Sequence, residues 1–465
     1  MKKIAIVYGE KKTDLKKKAI AVLSELLLDY TVEYPYCLAC GDAAAASYRC
    51  LYIGTKENNA YLKAHSLYTL TVPEEYAVWI QNDTVCIEGY DDAGVLYGCL
   101  DFYNKYLLGL EYPHNDAIYR VNCWDAPLPD ASFTSRPAVR YRGIWTWGHV
   151  IYDYRALIDH MVMLKMNTLV VWNDHAPANA QDMVAYAHAC GIKVIWGFSW
   201  LWGVDCKKVD FANLGAHSEE IFAYYQKEYA GIAGDGIYFQ TATEFDEQEI
   251  NGISVAEAVT AFVNRTAALF FAAYPNLELQ FGLHATSVKT RIEALRAVDP
   301  RIRIVWENCG AFPFSYLPND IADFDGTMAF VEKITALRGA DERFGAVTKG
   351  FTKLDWGHFS HIEEPVWLGV SSKRMKRDRV ERKSKVWKYI QAYWLSHAGW
   401  AQKMVRAMVS CKQGDLYITP LVEDGMLEEN IMYPVALYAE MLWDPTTPLD
   451  RLLSEVALRD YATFA

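Results

Sequence analysis

From Tyr141 onward, short apolar runs alternate with longer stretches whose apolar residues recur every three or four positions. The short runs are rich in Val, Ile and aromatic residues and predict β-strands, whereas the longer stretches predict amphipathic helices. The eight predicted strands are Tyr141–Trp147, Thr168–Trp172, Lys193–Trp196, Gly236–Glu244, Leu277–Leu283, Ile302–Trp306, Ala346–Leu354 and Leu416–Thr419. Eight strand–helix units over about 300 residues are typical of a closed (β/α)8 TIM barrel.

A predicted helix follows each of these strands. The helices are Asp153–Lys165, Asn179–Cys190, Ser218–Tyr229, Val255–Tyr274, Lys289–Ala297, Met328–Leu337, Val386–Val409 and Asn430–Leu442. Gly191 and Pro275 stand just beyond two of them, as residues that end helices usually do. We expect a last helix, Leu449–Tyr461, to close the structure.

Residues 1–135 mix strands and helices without strict alternation. The predicted elements are strands Ile4–Tyr8, Arg49–Gly54, Tyr76–Gln81 and Thr84–Glu88 and helices Asp14–Leu28 and Asp91–Tyr106. Asn82-Asp83 between two of the strands is a hairpin signal, and Asp91-Asp92 is a helix-capping signal. The pattern predicts a small α+β domain over 1–135, joined by a Pro-containing linker to a barrel domain over 136–465.

The composition fits a soluble globular protein with a large core, since 52% of the 465 residues are hydrophobic and 22% are charged. Aromatic residues reach 14%, with 15 Trp and 31 Tyr. Flat apolar rings with a polar edge suit stacking against sugar faces, although an aromatic-rich core explains any single ring equally well.

The net charge and the N-terminal residues limit the classes of partner that we expect for the protein. A net charge of −12 argues against nucleic acid. The apolar run Ile4–Tyr8 is too short for a signal peptide, and we identify no run of membrane-spanning length. We therefore expect a cytoplasmic protein with no membrane partner. The ten Cys are scattered and predict reduced thiols, and Cys37 and Cys40 form a CxxC without a second pair.

Polar and aromatic residues cluster at the ends of the predicted barrel strands, which meet at the face that holds the active site in such barrels. They are Trp145, Trp147, Asn173, Asp174, His175, Trp200, Trp202, Glu244, His284, Glu307, Asn308, Asp355 and Trp356. We predict that all but the three carboxylates Glu244, Glu307 and Asp355 bind substrate. No glycine-rich phosphate loop is present, and no Lys stands at a predicted strand tip, so the pattern predicts neither a cofactor nor a Schiff base.

The carboxylates predict glycoside hydrolysis, which needs one carboxyl to protonate the leaving oxygen and a second to act as nucleophile or base. Glu244 ends the fourth predicted strand and is the predicted acid. Glu307, after the sixth strand, and Asp355, after the seventh, are the candidates for the second carboxyl. Retaining, inverting and substrate-assisted mechanisms all remain open.

Three other groups of residues have alternative interpretations. Asp355, His358 and His361 match a metal-ligand set in kind, but such spacing is common by chance and we predict no metal. The basic run Lys373–Lys383 predicts a solvated loop, with a lid or a pocket for an acidic sugar as the alternative. Asp174-His175 is interpreted as a hydroxyl-binding pair or a strand-end cap.

Several motifs resemble the hexosaminidase and α-glucuronidase group of glycoside hydrolases, families 20 and 67. Ile87–Gly98 is similar to the strand–turn–helix that ends their N-terminal domain. Four barrel segments look like family 20: Arg142-Gly143, Leu164–Leu169, Tyr186–Ile195 and Glu429–Trp443. The resemblance implies a sugar-hydroxyl ligand at Arg142 and the acid at Glu244.

The chain departs from family 20 at the residue before the acid. Family 20 enzymes carry there an Asp that orients the substrate's acetamido group, and this chain has Thr243. The predicted function is an exo-acting hydrolase of a small oligosaccharide or glycoconjugate. A catalytically degenerate barrel that binds saccharide without hydrolysing it is the alternative, and a metal-dependent sugar-processing enzyme is a third hypothesis.

Overall fold

The computed structural model describes residues 3–10, 12–28, 34–41, 45, 47–108, 127–284, 287–307, 323–351, 364–412, 414–422, 426–429 and 433–464. The chain divides into two compact units. The first comprises residues 1–137, 189–191 and 453–465, and the second comprises residues 138–188 and 192–452.

The first unit is built on a six-stranded mixed sheet in the order β2-β1-β3-β5-β4-β6. Its strands are β1 (Ile4–Tyr8), β2 (Tyr36–Ala39), β3 (Arg49–Gly54), β4 (Tyr76–Gln81), β5 (Thr84–Gly89) and β6 (Ala131–Ser135), and its helices are α1 (Asp14–Leu28), α2 (Ala60–His65) and α3 (Asp92–Phe102). The predicted hairpin is confirmed, because β4 and β5 pair antiparallel across Asn82-Asp83. Asp91 caps α3 by accepting from the Gly94 amide, as predicted. The short strands β2 and β6 were missed.

The second unit is a closed barrel of eight parallel strands, so the predicted fold class is confirmed. The strands are β7 (Tyr141–Trp147), β8 (Thr168–Trp172), β9 (Lys193–Ser199), β10 (Gly236–Gln240), β13 (Glu278–Leu283), β14 (Arg303–Glu307), β15 (Phe344–Thr348) and β16 (Leu416–Pro420). A small hairpin, β11 (Glu249–Ile250) and β12 (Ile253–Ser254), follows β10. Pairing of β16 with β7 closes the ring.

Large side chains fill the barrel because alternate residues of each strand point inward. Trp145, Trp172 and Tyr238 are fully buried and pack together there. A side chain at Gly282 would overlap the Tyr238 ring, so this position of β13 takes glycine to make room for the tyrosine. The barrel is therefore a packed core up to the level of its strand ends.

Helices surround the barrel. They are α4 (Tyr154–Met163), α5 (Ala180–Ala189), α6 (Ser218–Glu228), α7 (Val255–Ala273), α8 (Phe324–Thr335), α9 (Lys373–Cys411), α10 (Met426–Glu429) and α11 (Tyr433–Trp443). The last helix, α12 (Leu449–Phe464), has most of its residues in the first unit. The predicted helix Lys289–Ala297 is a kinked 3-10 segment. The 19-residue α7 is long and apolar enough to cross a membrane by length and composition, which the sequence analysis missed. More than half of its apolar window is buried inside the protein, as expected of a core helix.

Two sequence predictions near the end of the barrel are wrong. The seventh strand ends at Thr348 rather than Leu354, and Gly350 two residues later has a φ of 95° that an extended strand does not accommodate. The basic run is not a loop but the first turns of α9, which Ser372 caps. Arg374 and Asp378 lie one helical turn apart with a 3.6 Å ion-pair contact, so the charges form a solvated helix face.

A buried ion cluster closes the amino-terminal end of the barrel. The guanidinium of Arg303, at the start of β14, contacts Glu278 Oε1 and Asp415 Oδ1, both at 3.0 Å. It also lies over the rings of Tyr141 and Tyr417. Burial would raise the pKa of Glu278, but the positive charge of Arg303 lowers it overall.

Candidate active site

A cavity of about 140 Å³ opens at the carboxyl-terminal ends of the barrel strands. Its lining comprises Trp145, Trp147, Trp202, Gln240, Glu244, His284, Glu307, Lys349 and Leu421. Six of these residues were predicted site residues, and Gln240, Lys349 and Leu421 were not. The structure therefore brings together side chains from most of the barrel strands in one small space.

The fourth strand was predicted to end at Glu244, but β10 ends at Gln240, and Glu244 lies four residues beyond it in the segment that follows the strand. Its side chain is 49% exposed, and its Oε2 accepts a hydrogen bond of 2.5 Å from the indole Nε1 of Trp202. Thr243 beside it is fully buried. The Glu244 carboxylate is therefore open to solvent, while the neighbouring Thr243 is buried in the protein.

Glu307, unlike Glu244, is a buried carboxylate. It is the last residue of β14 and only 1% exposed. Four side chains donate to it: the Tyr238 hydroxyl and the Gln240 amide, the His284 Nε2 at 3.1 Å and the Lys349 Nζ at 2.9 Å. These donors come from β10 and from the residues that follow β13 and β15.

The charge state of Glu307 follows from these contacts. Burial alone would raise its pKa, because a low-dielectric site disfavours a carboxylate. The positive charges of His284 and Lys349, with the hydrogen bonds from His284 and Tyr238, instead hold the pKa well below its usual range. These contacts therefore favour the ionised form of Glu307, and its oxygens already accept from donors.

His284 stands between the two carboxylates. Its Nε2 donates to Glu307 at 3.1 Å, and its Nδ1 lies 3.7 Å from Glu244 Oε2. The side chain is 3% exposed. A continuous polar chain therefore runs from the indole of Trp202 through both carboxylates to the ammonium of Lys349.

Tryptophan rings form the walls of the cavity. Trp147 packs edge-on against Trp145 at 5.2 Å between ring centroids, and Trp202 lies 6.1 Å from Trp147. The buried Trp145 Nε1 and Gln240 Oε1 have no hydrogen-bond partner among the described residues. The donor on Trp145 and the acceptor on Gln240 are therefore available to a ligand with hydroxyl or amide groups.

An unusual backbone conformation aims Trp202 at the cavity. Leu201 has a φ of 71°, in the left-handed region that disfavours non-glycine residues. Ser199 holds the loop by donating from Oγ to the Trp202 carbonyl at 2.9 Å. Backbone strain of this kind persists where surrounding contacts enforce it and is frequent at functional sites.

Arg142 lies outside the site. Its guanidinium is 1% exposed and donates to the main-chain carbonyls of Val139, Arg140 and Lys165, near the start of β7. It also lies over the Trp443 ring. The structure gives this arginine a structural role at the amino-terminal end of the barrel, and it does not line the cavity that contains Glu244.

Trp200 also lies outside the cavity. Its ring is fully buried and stacks on Phe239 at 3.6 Å and on Phe270 of α7 at 5.2 Å. The ring therefore belongs to the layer between the strands and the helices. Trp202, two residues further along the chain, is the member of this pair that lines the cavity.

The three predicted residues after β8 are also separate from Glu244. The Asn173 amide donates to the His175 carbonyl, and His175 Nδ1 lies 3.3 Å from Glu228. Asp174 lines a second cavity. The interpretation of Asp174-His175 as a hydroxyl-binding pair or a strand-end cap stays a prediction.

Asn308, Asp355 and Trp356 lie outside the described residues, as do His358 and His361 of the metal hypothesis. Within the described ranges, no group of three His, Cys, Asp or Glu side chains is placed to hold a metal ion.

Lys349 corrects a sequence prediction. It directly follows β15, is 3% exposed and lines the cavity, so a lysine does stand at a strand tip. The error came from extending the seventh strand past Gly350. The period-two alternation of Tyr238 and Gln240 along β10 was the signal that would have identified Gln240 as inward-facing.

No protein-family model and no curated protein matches the chain. Solved structures do match it over nearly its full length. They include a GH115 4-O-methyl-α-glucuronidase with specificity for decorated arabinogalactans (TM-score 0.57, 13% identity, 98% of this chain and 58% of that chain). A chitobiase of family GH20 from Flavobacterium johnsoniae has a TM-score of 0.57 at 11% identity, covering 98% of this chain and 69% of that chain.

A GH138 enzyme targeting pectin rhamnogalacturonan II also matches, with a TM-score of 0.54 and 13% identity over 97% of this chain and 52% of that chain. This chain thus spans little more than half the length of the GH138 and GH115 structures. At these identities the likeness is one of fold. The chain shares the barrel architecture of three glycoside hydrolases, one of which belongs to the predicted family 20.

Proposed function

We propose that the protein is a glycoside hydrolase that removes one terminal sugar from a small oligosaccharide or glycoconjugate, with Glu244 as the general acid. The observation that carries the proposal is the position of Glu244. Among the described residues that line the cavity, it is the carboxylate that is open to solvent while held by a hydrogen bond, here from Trp202. The shared fold with glycosidases supports the class of reaction.

The reaction needs a proton on the leaving oxygen and a water at the anomeric carbon. When the bond between the anomeric carbon and the leaving oxygen breaks, its electron pair stays on the oxygen and the proton comes from Glu244. Water then supplies the hydroxyl group of the released sugar, either directly or after a covalent intermediate.

Glu307 organises the site in this proposal rather than attacking the sugar. Its oxygens already accept from four donors, and it is 1% exposed, so an attack on carbon would first require those bonds to break. Its charge holds His284 beside the acid and Lys349 at the cavity wall. Asp355 therefore remains our candidate for the second carboxyl, on the sequence argument alone.

The dimensions of the cavity support exo action. At about 140 Å³, it is smaller than the roughly 300–1,000 Å³ of typical ligand pockets. Its tryptophan walls and the unpartnered Trp145 Nε1 and Gln240 Oε1 suit one hydroxylated ring. Thr243 is buried and offers no carboxylate to an acetamido group, so we propose that catalysis is not substrate-assisted.

The test is hydrolysis of aryl glycosides by wild type and by Glu244→Gln, on a panel that includes N-acetylglucosaminides and glucuronides. We expect one sugar to be hydrolysed and the variant to lose about 10²–10⁴-fold in kcat for methoxyphenyl glycosides. The loss should be much smaller for 2,4-dinitrophenyl glycosides, which leave without a proton. Glu247→Gln, an exposed glutamate three residues away, is the matched control and should retain activity.

An equal loss of kcat on both classes of leaving group, or no loss, would contradict the assignment of Glu244 as the acid.

The second candidate function is saccharide binding without hydrolysis. It is favoured by one observation: Glu307 is saturated with donors, which leaves Glu244 as the open carboxylate among the described cavity residues. Saturable binding of a sugar by calorimetry, with no turnover of any panel member, would support that function instead.

A further inference from the structure

The first half of α9 carries a concentration of positive charge that the proposed function does not use. Residues 373–388 contain nine Lys or Arg and two acidic residues, in a chain whose net charge is −12. Arg374, Arg377, Lys385 and Lys388 are exposed and lie within about 80° of one another around the helix axis. These four residues form a basic stripe that extends along about 22 Å of the helix.

This half of α9 lies at the end of the barrel that holds the candidate site. The indole Nε1 of Trp394, further along α9, donates at 2.9 Å to the carbonyl of Gly350, two residues beyond the end of β15. Nearer the start of the helix, Arg379 Nη2 donates at 3.1 Å to the carbonyl of Val150, which follows β7. The helix therefore runs along the rim of the barrel from the end of β15 to the end of β7. Lys349, which lines the candidate cavity, directly follows β15 on the same rim.

Helix stability does not account for these charges. The N-terminus is the positive end of a helix macrodipole, where acidic residues stabilise the helix and basic residues destabilise it. The first turn of α9 contains no acidic residue but contains Lys373, Arg374 and Lys376. Asp378 lies 3.6 Å from both Arg374 and Arg377, but ion pairs between exposed side chains contribute little to stability. The run therefore keeps an excess of positive charge that a partner can use.

The surroundings of the basic stripe narrow the kind of anionic partner that it fits. Arg379 and Ile390, on the opposite side of the helix, are buried in the protein, so the helix has no free apolar face to enter a lipid bilayer. Duplex DNA carries one negative charge per about 1.7 Å, and a chain with a net charge of −12 repels it strongly. A polysaccharide with about one acidic group per sugar has a lower charge density and meets less repulsion from the rest of the chain.

We infer that the basic stripe of α9 is a docking surface for an anionic polysaccharide, whose sugars carry carboxylate or sulfate groups. The choice of a saccharide rests on the proposed function, whereas the charge of the stripe and its place on the rim do not. None of the four residues lines the cavity that contains Glu244, so the stripe holds the polymer outside the candidate site. Contacts between exposed charges are screened by salt, and the docking is therefore salt-dependent.

Binding of the whole chain to polymers tests the inference without any need for turnover. The probes are alginate, which carries carboxylates, dextran sulfate, and unmodified dextran as the neutral control. We expect binding to both charged polymers and none to dextran. The affinity should fall by about tenfold or more between about 0.1 M and 1 M salt, because the Debye length shortens from about 10 Å to about 3 Å. Failure to bind either charged polymer at the lower salt concentration, or equal binding to dextran, would overturn the inference.

Charge reversal identifies the surface that binds the polymer. The stripe variant combines Arg374→Glu, Arg377→Glu, Lys385→Glu and Lys388→Glu. The control variant makes the same change in net charge at four exposed residues outside α9: Lys17→Glu, Lys63→Glu, Arg296→Glu and Lys333→Glu. We expect the stripe variant to lose about tenfold or more in affinity for alginate and the control to lose about threefold or less. Substitution of Gln at the four stripe positions, which keeps a good helix former there, should also weaken binding. Equal losses in the stripe and control variants would overturn the inference, because net charge alone would then explain the binding.

Docking and turnover are measured separately. In the stripe variant, kcat/KM for small aryl glycosides should stay within about twofold of wild type, since these exposed residues do not line the cavity. A protein that hydrolyses no aryl glycoside, but loses alginate binding in the stripe variant alone, would refute the proposed function and support the docking surface. Tighter binding to duplex DNA or to phosphatidylserine vesicles than to alginate would overturn the inference. Salt-sensitive self-association of the chain that the stripe variant abolishes would also overturn it, since a second copy would then be the partner.

Discussion

The two ends of the barrel carry buried ion clusters of opposite sign. At the amino-terminal end, the cation Arg303 is held by the carboxylates of Glu278 and Asp415. At the carboxyl-terminal end, the anion Glu307 is held by His284 and Lys349. Both central charges are about 1% exposed. A buried, paired charge is therefore not by itself a sign of chemistry.

The ends differ in what surrounds the central charge. The rings of Tyr141 and Tyr417 cover Arg303. Glu307 lines a cavity, and through His284 it reaches Glu244, which is open to solvent. The difference between a structural cluster and a candidate site thus lies in the cavity and in one exposed group with fixed geometry. The predictions below test this distinction.

The largest expected effect is that of Glu307→Gln. Removing the anion takes away the buried carboxylate that His284 and Lys349 both contact, and breaking a buried ion pair costs about 3–5 kcal/mol of the free energy of unfolding. Denaturant titration measures this loss. The double variant with Lys349→Met should recover part of it, because the ammonium that loses this carboxylate is also removed. Equal stability of the single variant and wild type would show that Glu307 does not hold the cluster together.

Arg303→Met tests the other end of the barrel. It removes the buried cation that Glu278 and Asp415 share, while Asp415 keeps Arg343 at 3.6 Å, and we expect a loss of about 3 kcal/mol in the free energy of unfolding. At a temperature where the variant remains folded, kcat/KM for the best panel substrate should stay within about twofold of wild type, since the cluster does not line the cavity. A tenfold fall in kcat/KM of the folded variant would show that the amino-terminal cluster contributes to activity and is not purely structural.

A smaller effect is expected for Trp202→Phe. The substitution keeps a ring in the wall but removes the indole donor that positions Glu244, and misplacing a reacting group lowers the rate of the chemical step. We expect kcat/KM to fall by about tenfold or more with little change in the unfolding midpoint. Trp367→Phe, at a position 61% exposed, is the matched control and should behave as wild type.

Much of the fold was predictable because the barrel strands obey simple patterns. Strands β7 and β8 match their predicted bounds, and β16 differs by one residue at its end. The sequence cues failed at strand ends, where a single residue decides which group faces the cavity. Lys349 was missed because the apolar pattern continues past Gly350, although the strand does not.

Several residues of the site were predictable from the sequence, but their hydrogen bonds and ion pairs were not. Glu244, His284 and Glu307 were identified from their positions after strands, and the structure places all three around one cavity. Four donors from several strands surround Glu307. The pattern of apolar and polar residues along the chain does not predict such contacts between strands. Arg142 was assigned from the family resemblance, and its guanidinium instead donates to main-chain carbonyls near the start of β7. Trp200 was assigned from its position after a strand, and its ring instead stacks in the layer between strands and helices.

The smallest expected effect compares the acid limits of the two clusters. The pKa values of Glu307 and Glu278 are both lowered by their cations. Each lowered pKa stabilises the fold above the usual glutamate pKa of about 4.3, and this contribution is lost as pH falls toward the folded-state value. Each group accounts for at most about 1.4 kcal/mol per pH unit of that loss. Denaturant titrations from about pH 5 downward should therefore show a smaller loss of stability with falling pH for Glu307→Gln and for Arg303→Met than for wild type. If only Glu307→Gln reduces the loss of unfolding free energy at low pH, then Arg303 does not keep Glu278 ionised. The two clusters would then respond differently to acid.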